Sequence, residues 1–250
     1  IRHATSKLST AHFTTLYEHK KRLVRMGEDQ KRVFVTGNLS LDKFINFNPM
    51  SKRELSTYFE FDNELSEFVL MIFHPTTKEL EKSEKYFENI LKNLEQRRIK
   101  TFVSYPNVDP GNSKIIKIIK KYTMNDNFIF YKNLERNVFM SIYKHSKFII
   151  GNSSSGICES ATFKIPAINV GLRQVGRYAD KNVIFCGTSS KEIGEAIELS
   201  LSKDFQLRLK SIVNSYGDGH SAVKAYNVIK TNDFKSIIPK IEDPLKVKLL

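Results

Sequence analysis

Cysteine is scarce in this chain. Cys158 and Cys186 are the only two in 250 residues, and they follow no patterned spacing. That excludes a disulfide framework and offers no zinc-ligand motif. Long apolar runs are also missing, and nothing approaches the roughly 18–20 residues of a membrane-spanning helix. There is no secretory pattern at the start, no internal repeat and no low-complexity linker. These absences fit a globular protein of a reducing cytoplasm, with no membrane partner. The chain opens on Ile1 rather than Met, which suggests a piece of a longer polypeptide.

Acidic residues are outnumbered, 27 against 40 Lys and Arg, for a formal charge of +13. Such an excess invites a nucleic-acid reading. No recognised nucleic-acid-binding signature accompanies it, and no nucleic-acid partner is expected. The lysines are instead spread over amphipathic segments such as "KIIKIIKKY" (114–122) and "EKSEKYFENILKNLEQRRIK" (81–100). That is the pattern of solvated helix faces. The remaining field would attract an anion, and a nucleotide diphosphate is one candidate.

What is present is alternation. "SEFVLMIFH" (66–74) is a near-continuous apolar run, the mark of a strand covered on both faces. Further strands are predicted in 100–107, 127–131, 147–152, 166–170 and 182–186, and a short one in "RVFVTG" (32–37). Helical periods fall at 14–27, 78–98, 112–123, 135–145, 156–164 and 190–202. Strands alternating with helices predict an α/β fold, a Rossmann-like doubly wound parallel sheet. The expected organisation is an approach from a preceding domain in 1–29, one nucleotide-binding domain over 30–215, and a helix with a charged tail in 216–250.

In open parallel sheets, ligands sit beyond the carboxyl ends of the strands. The loop after strand 147–150 reads "GNSSSG" and leads into a helix, where small residues and unpaired N–H groups suit a phosphate. Ser153, Ser154, Ser155 and Gly156 form this cradle. Glu159 follows, placed either to accept hydroxyl groups of a ribose or as an ordinary first-turn carboxylate. His74 ends the most buried strand, as a neutral donor or as a cation facing phosphate. Thr76 and Glu79 have capping-box spacing, which predicts a helix start there. In "YPNVDPG" (105–111), Asp109 reads as a helix cap with Pro110 at the first helical position. Asn107 sits just before, its amide open to a ligand or to a turn. Arg173 and Arg177 in "GLRQVGR" (171–177) carry the planar fork suited to diphosphate. "YGDGHSA" (216–222) is a Gly-rich turn that could add a contact.

The ordered set "IRHATSKLSTAHF", "MGEDQKRVFVTGNLSLDKF", "HPTT", "YPNVDPG", "GNSSSGICESA", "GLRQVGR" and "YGDG" resembles the UDP-N-acetylglucosamine 2-epimerase family, whose fold is similar to two-domain GT-B glycosyltransferases. At the Ser-rich turn, Ser153-Ser154-Ser155-Gly156 is similar to the hydrolysing branch rather than to the Asp-Ser-Gly-Gly of the non-hydrolysing one. The resemblance implies elimination of UDP across C1 and C2 of the sugar, then addition of water, giving UDP and an N-acetylmannosamine-type sugar for sialic-acid-like synthesis. It implies nucleotide contacts from Asn107, Ser153, Ser154, Ser155, Gly156 and Glu159, with Glu159 on the ribose and Arg173 on the diphosphate. His74 would handle the leaving group as the catalytic residue of this half. The base would lie in an N-terminal domain that precedes "IRHA". No cofactor and no metal is implied, and a homo-oligomer is expected. The alternatives are a GT-B glycosyltransferase using a UDP-sugar and a non-hydrolysing 2-epimerase.

Overall fold

A computed structural model describes residues 1–76, 79–240 and 243. The chain begins with α1 (Arg2–Leu8), β1 (His12–Thr14), α2 (Tyr17–Arg25) and β2 (Val33–Val35). Next come α3 (Lys52–Tyr58), β3 (Phe68–Ile72), α4 (Ser83–Gln96), β4 (Lys100–Ser104), α5 (Asn112–Tyr122) and β5 (Phe128–Tyr131). Then follow α6 (Arg136–His145), β6 (Ile149–Gly151), α7 (Ser154–Cys158), β7 (Ala167–Val170) and β8 (Val183–Cys186). Helices α8 (Ser190–Leu201), α9 (Lys203–Leu209) and α10 (Ser221–Thr231) complete the order.

Contacts divide the chain into two units. One is Asn48–Val213; the other joins Ile1–Phe47 to the chain from Asn214 onward. The breaks of this division fall at 47/48 and 213/214. The cause is strand pairing. β2 does not enter the main sheet but pairs in parallel with β1, His12 opposite Val33 and Thr14 opposite Val35. Residues 12–35 thus form a small βαβ unit around α2, and the chain opens with α1 followed by β1.

The larger unit is a six-stranded, wholly parallel sheet in the order β5-β4-β3-β6-β7-β8. Six of the seven strands predicted within 30–215 form it, and the seventh, in 32–37, is β2 of the small sheet. This is the Rossmann order, with direction of winding reversed between β3 and β6. Period-two alternation explains why β3 reads as unbroken apolar sequence. Phe68, Leu70 and Ile72 pack into one hydrophobic cluster with Phe102, Tyr143 and Ile149. Val69, Met71 and Phe73 pack into another with Phe87, Ile90 and Ile168. Both faces are covered, so no position of β3 tolerates a polar side chain.

Three local readings differ from the structure. Helix α4 begins at Ser83 with Lys82 before it and no side-chain cap, so the Thr76–Glu79 capping box does not start it. Residues 77 and 78 of that predicted start lie outside the described residues. Asp109 does not cap α5; Gly111 does, at φ +93, and Pro110 stands outside the helix. The predicted helix over 156–164 is a five-residue α7 followed by a 3-10 turn, Ser160–Phe163.

Candidate functional site

The reversal of winding leaves a crevice beyond the carboxyl ends of β3 and β6, and His74 and Asn152 stand there. Gly151 makes the crossing possible. Its φ is +137, and a Cβ on it would lie 2.0 Å from the Ile72 carbonyl oxygen, so only glycine fits. Asn152, buried at 2% exposure, follows it. Its side chain accepts from the His74 N–H at 2.8 Å and donates to the His74 carbonyl at 2.8 Å. Its own carbonyl accepts from Arg173 Nη1 at 3.0 Å and from Gln174 Nε2 at 2.8 Å. One buried asparagine therefore ties together three of the ligand-side loops.

The fourth loop comes from β4. The Asn107 backbone N–H donates to His74 Nδ1 at 3.2 Å. The Asn107 side-chain amide, open in sequence to a ligand or to a turn, donates to Asp109 Oδ2 at 2.5 Å. Its Oδ1 is buried with no hydrogen-bond partner among the described residues. Burial and the Arg173 guanidinium hold the His74 imidazole below its ordinary pKa, while Asp109 pulls the other way. Asp109 and Arg173 line a cleft of about 710 Å³ together with Pro75, Thr76, Glu79, Leu172 and Val175.

The Ser-rich turn is built as a helix start. Ser153 is the N-cap of α7, its Oγ accepting from the Ser155 N–H at 3.3 Å and from the Ser155 hydroxyl at 3.1 Å. That uses its lone pairs and leaves its O–H to donate outward. Ser154 is exposed and Ser155 half-buried, so both hydroxyls remain at the surface. The fully buried Tyr143 hydroxyl donates to the Ser155 carbonyl at 2.9 Å and anchors the turn from below. A helix of five residues has little macrodipole, so anion attraction here rests on individual N–H and O–H groups. Gly156 differs from its neighbours. A Cβ there would point at Ala167 and Ile149, 3.7 and 3.8 Å away, toward the sheet and not toward the crevice. Glu159 closes α7 at 7% exposure.

The structure thus links His74, Asn107 and Arg173 by hydrogen bonds, directly or through Asn152, and sets Ser153 next to that hub. Glu159 stands one helical turn further in, and the "YGDG" turn belongs to the other unit. Asn152, Gln174 and Asp109 are the residues that sequence reasoning passed over or misassigned. Asn152 lay inside the quoted motif, but nothing local says that its amide reaches back 78 residues to His74.

A parallel sheet in this order, with hydroxyl, arginine and imidazole groups gathered at its reversal point, defines a Rossmann-like ligand-binding domain. Residues 1–230 match the family model of UDP-N-acetylglucosamine 2-epimerase, and the chain belongs to that family. It is 31% identical over 231 residues to the UDP-N,N'-diacetylbacillosamine 2-epimerase (hydrolyzing) of Legionella pneumophila, covering 92% of this chain and 60% of that protein. It is 34% identical over 209 residues to the GDP/UDP-N,N'-diacetylbacillosamine 2-epimerase (hydrolyzing) of Campylobacter jejuni, covering 82% and 54%. The crystal structure of UDP-GlcNAc 2-epimerase from Neisseria meningitidis bound to UDP-GlcNAc superposes with a TM-score of 0.75 at 19% identity, over 91% of this chain and 63% of that one. That likeness is one of fold.

Proposed function

We propose that this chain carries the UDP-binding part of a hydrolysing UDP-sugar 2-epimerase that acts in the cytoplasm on a UDP-2-acetamido sugar. The observation that carries the reading is identity above 30% to two relatives whose names specify 2-epimerase and hydrolyzing. The geometry supports it. Elimination breaks the C1–O bond to the diphosphate and takes a proton from C2, leaving UDP and a glycal; water then adds across the double bond. Charge builds on the departing diphosphate, and donors fixed in advance stabilise it. Arg173, the His74 imidazole and the hydroxyls of Ser153 and Ser154 are such donors, while Ser155 supports Ser153 by donating to its Oγ. Glu159 would take the ribose hydroxyls. Asn107 contributes through its backbone and through Asp109 more than through its own amide. Gly156 faces the sheet, so its part is in the packing of the turn and not in contact with the nucleotide.

The chain spans 60% and 54% of the two relatives' lengths, and the C2 base is assigned outside it. UDP, and not AMP or GMP, should raise the melting temperature. At about 100 times its dissociation constant it should add roughly 2.7 kcal/mol. Equal shifts from all three nucleotides would remove the uridine claim. A coupled assay for UDP release should find this chain about 10²-fold or more slower than the Campylobacter relative, the usual worth of a positioned acid or base. Comparable turnover would place the base within these residues.

A further inference from the structure

His74 is held on three sides by groups of known polarity. Asn152 fixes its backbone by one donated and one accepted hydrogen bond, each at 2.8 Å. The ring is fixed by the Asn107 N–H, 3.2 Å from Nδ1. A backbone N–H can only donate, so Nδ1 must present a lone pair. The Nδ1–H tautomer would set two donors against each other, and so would the imidazolium, which carries protons on both nitrogens. The remaining form is neutral with its proton on Nε2. Asn107 is held in turn: its side chain donates to Asp109 Oδ2 at 2.5 Å, which closes the loop just ahead of α5.

We infer that Asn107 and Asp109 are positioning residues that lock His74 in the Nε2–H tautomer, so that the imidazole meets an anionic ligand as a neutral hydrogen-bond donor. Asp109 is freed for this by not capping α5. Its carboxylate does not take the C2 proton; it anchors the loop whose N–H reads the imidazole. A neutral donor can stay bonded to a diphosphate through departure without a proton having to be gained first, and Arg173 beside it supplies the charge. The link to a departing diphosphate rests on the function proposed above, whereas the tautomer does not.

The test is nitrogen-15 correlation spectroscopy of the histidine rings in the uncomplexed chain at neutral pH, with His74 assigned by loss of its signal in His74→Gln. Wild type should show one species, Nε2–H. Asp109→Ala should lose that uniformity and show Nδ1–H as well, because the Asn107 anchor is gone. Asp109→Asn keeps an oxygen that can accept the same amide, and should restore the single tautomer without restoring the charge. The five other histidines report whether each variant is folded. A wild type dominated by Nδ1–H, an Asp109→Ala chain unchanged from wild type, or an Asp109→Asn chain as mixed as the alanine variant would overturn the inference. Adding UDP separates the two readings. Displacement of the His74 Nε2 signal supports both, while unaltered spectra with the wild-type tautomer intact count against the function alone.

Discussion

Two glycines flank the Ser-rich turn, and their surroundings assign them opposite sensitivities. Gly151 has a φ that L-residues rarely adopt, and a Cβ would overlap the Ile72 carbonyl. Its replacement by alanine must push β3 and β6 apart at the winding reversal, at a cost of about 3 kcal/mol or more. Gly156 meets only ordinary contacts beside a cavity of about 10 Å³ lined by Ile149, Ala167 and Ile168. Gly156→Ala should change stability by less than about 1 kcal/mol, and a small gain would follow from helix propensity. Urea midpoints of the two variants measure this directly. Equal losses would show that small size at Gly156 is required for packing. In sequence the two glycines look alike, because the difference lies in what each Cα faces.

At the scale of elements, capping decides where helices start. Ser189 caps α8 reciprocally with Glu192: the Glu192 N–H donates to Ser189 Oγ at 3.3 Å, and the Glu192 carboxylate accepts from the Ser189 N–H at 3.2 Å. Ser189→Ala should cost about 1 kcal/mol, and Ser189→Asp should recover most of it. Denaturant unfolding compares the three. If alanine costs nothing, α8 is held by its packing against α4 and β8 alone. The same chemistry was legible for some elements and misleading for others. Strands β3 to β8 follow from apolar runs bounded by turn residues. Thr76 with Glu79 has the spacing of a cap, yet α4 begins at Ser83 with no side-chain cap, and Ser51 with Glu54 forms a true capping box ahead of α3, which the sequence reading passed over.

On the scale of the molecule, the smaller unit carries its own pH dependence. Glu28 is 2% exposed. Lys7 lies 3.0 Å from one carboxylate oxygen; His12 and Lys240 lie 3.0 and 2.5 Å from the other. Burial alone would raise its pKa, but the hydrogen bonds from Lys240, His12 and Lys7 outweigh that and bring it down to about 2 from 4.5. Arg32 adds hydrogen bonds to the carbonyls of Thr10, Ile237 and Pro239, so the chain after α10 is tied to the same unit. A carboxylate with a depressed folded pKa stabilises fully above its unfolded value and loses that contribution as pH falls through the folded one. The window is therefore pH 4.5 down to about 2, and the amount is on the order of 3 kcal/mol. Glu28→Gln should be less stable than wild type at pH 6, with the gap closing as pH approaches 2. A gap independent of pH would mean that packing, not ionisation, sets the role of Glu28.

The sequence by itself determined the fold class, the strands of the main sheet and the loops that hold the candidate site. Each of these follows from local pattern, since a buried parallel strand must be apolar throughout and ligands gather where such strands end. Only the tertiary structure decided that β2 pairs with β1, that Asp109 serves Asn107 instead of a helix, and that Asn152 joins β3, β6 and the Arg173 loop. Those outcomes depend on contacts between residues far apart in the chain, such as Asn152 with His74 and Lys240 with Glu28. A hydrogen-bonding group has several possible partners along its own stretch of chain, and burial leaves it the one that folding brings within reach.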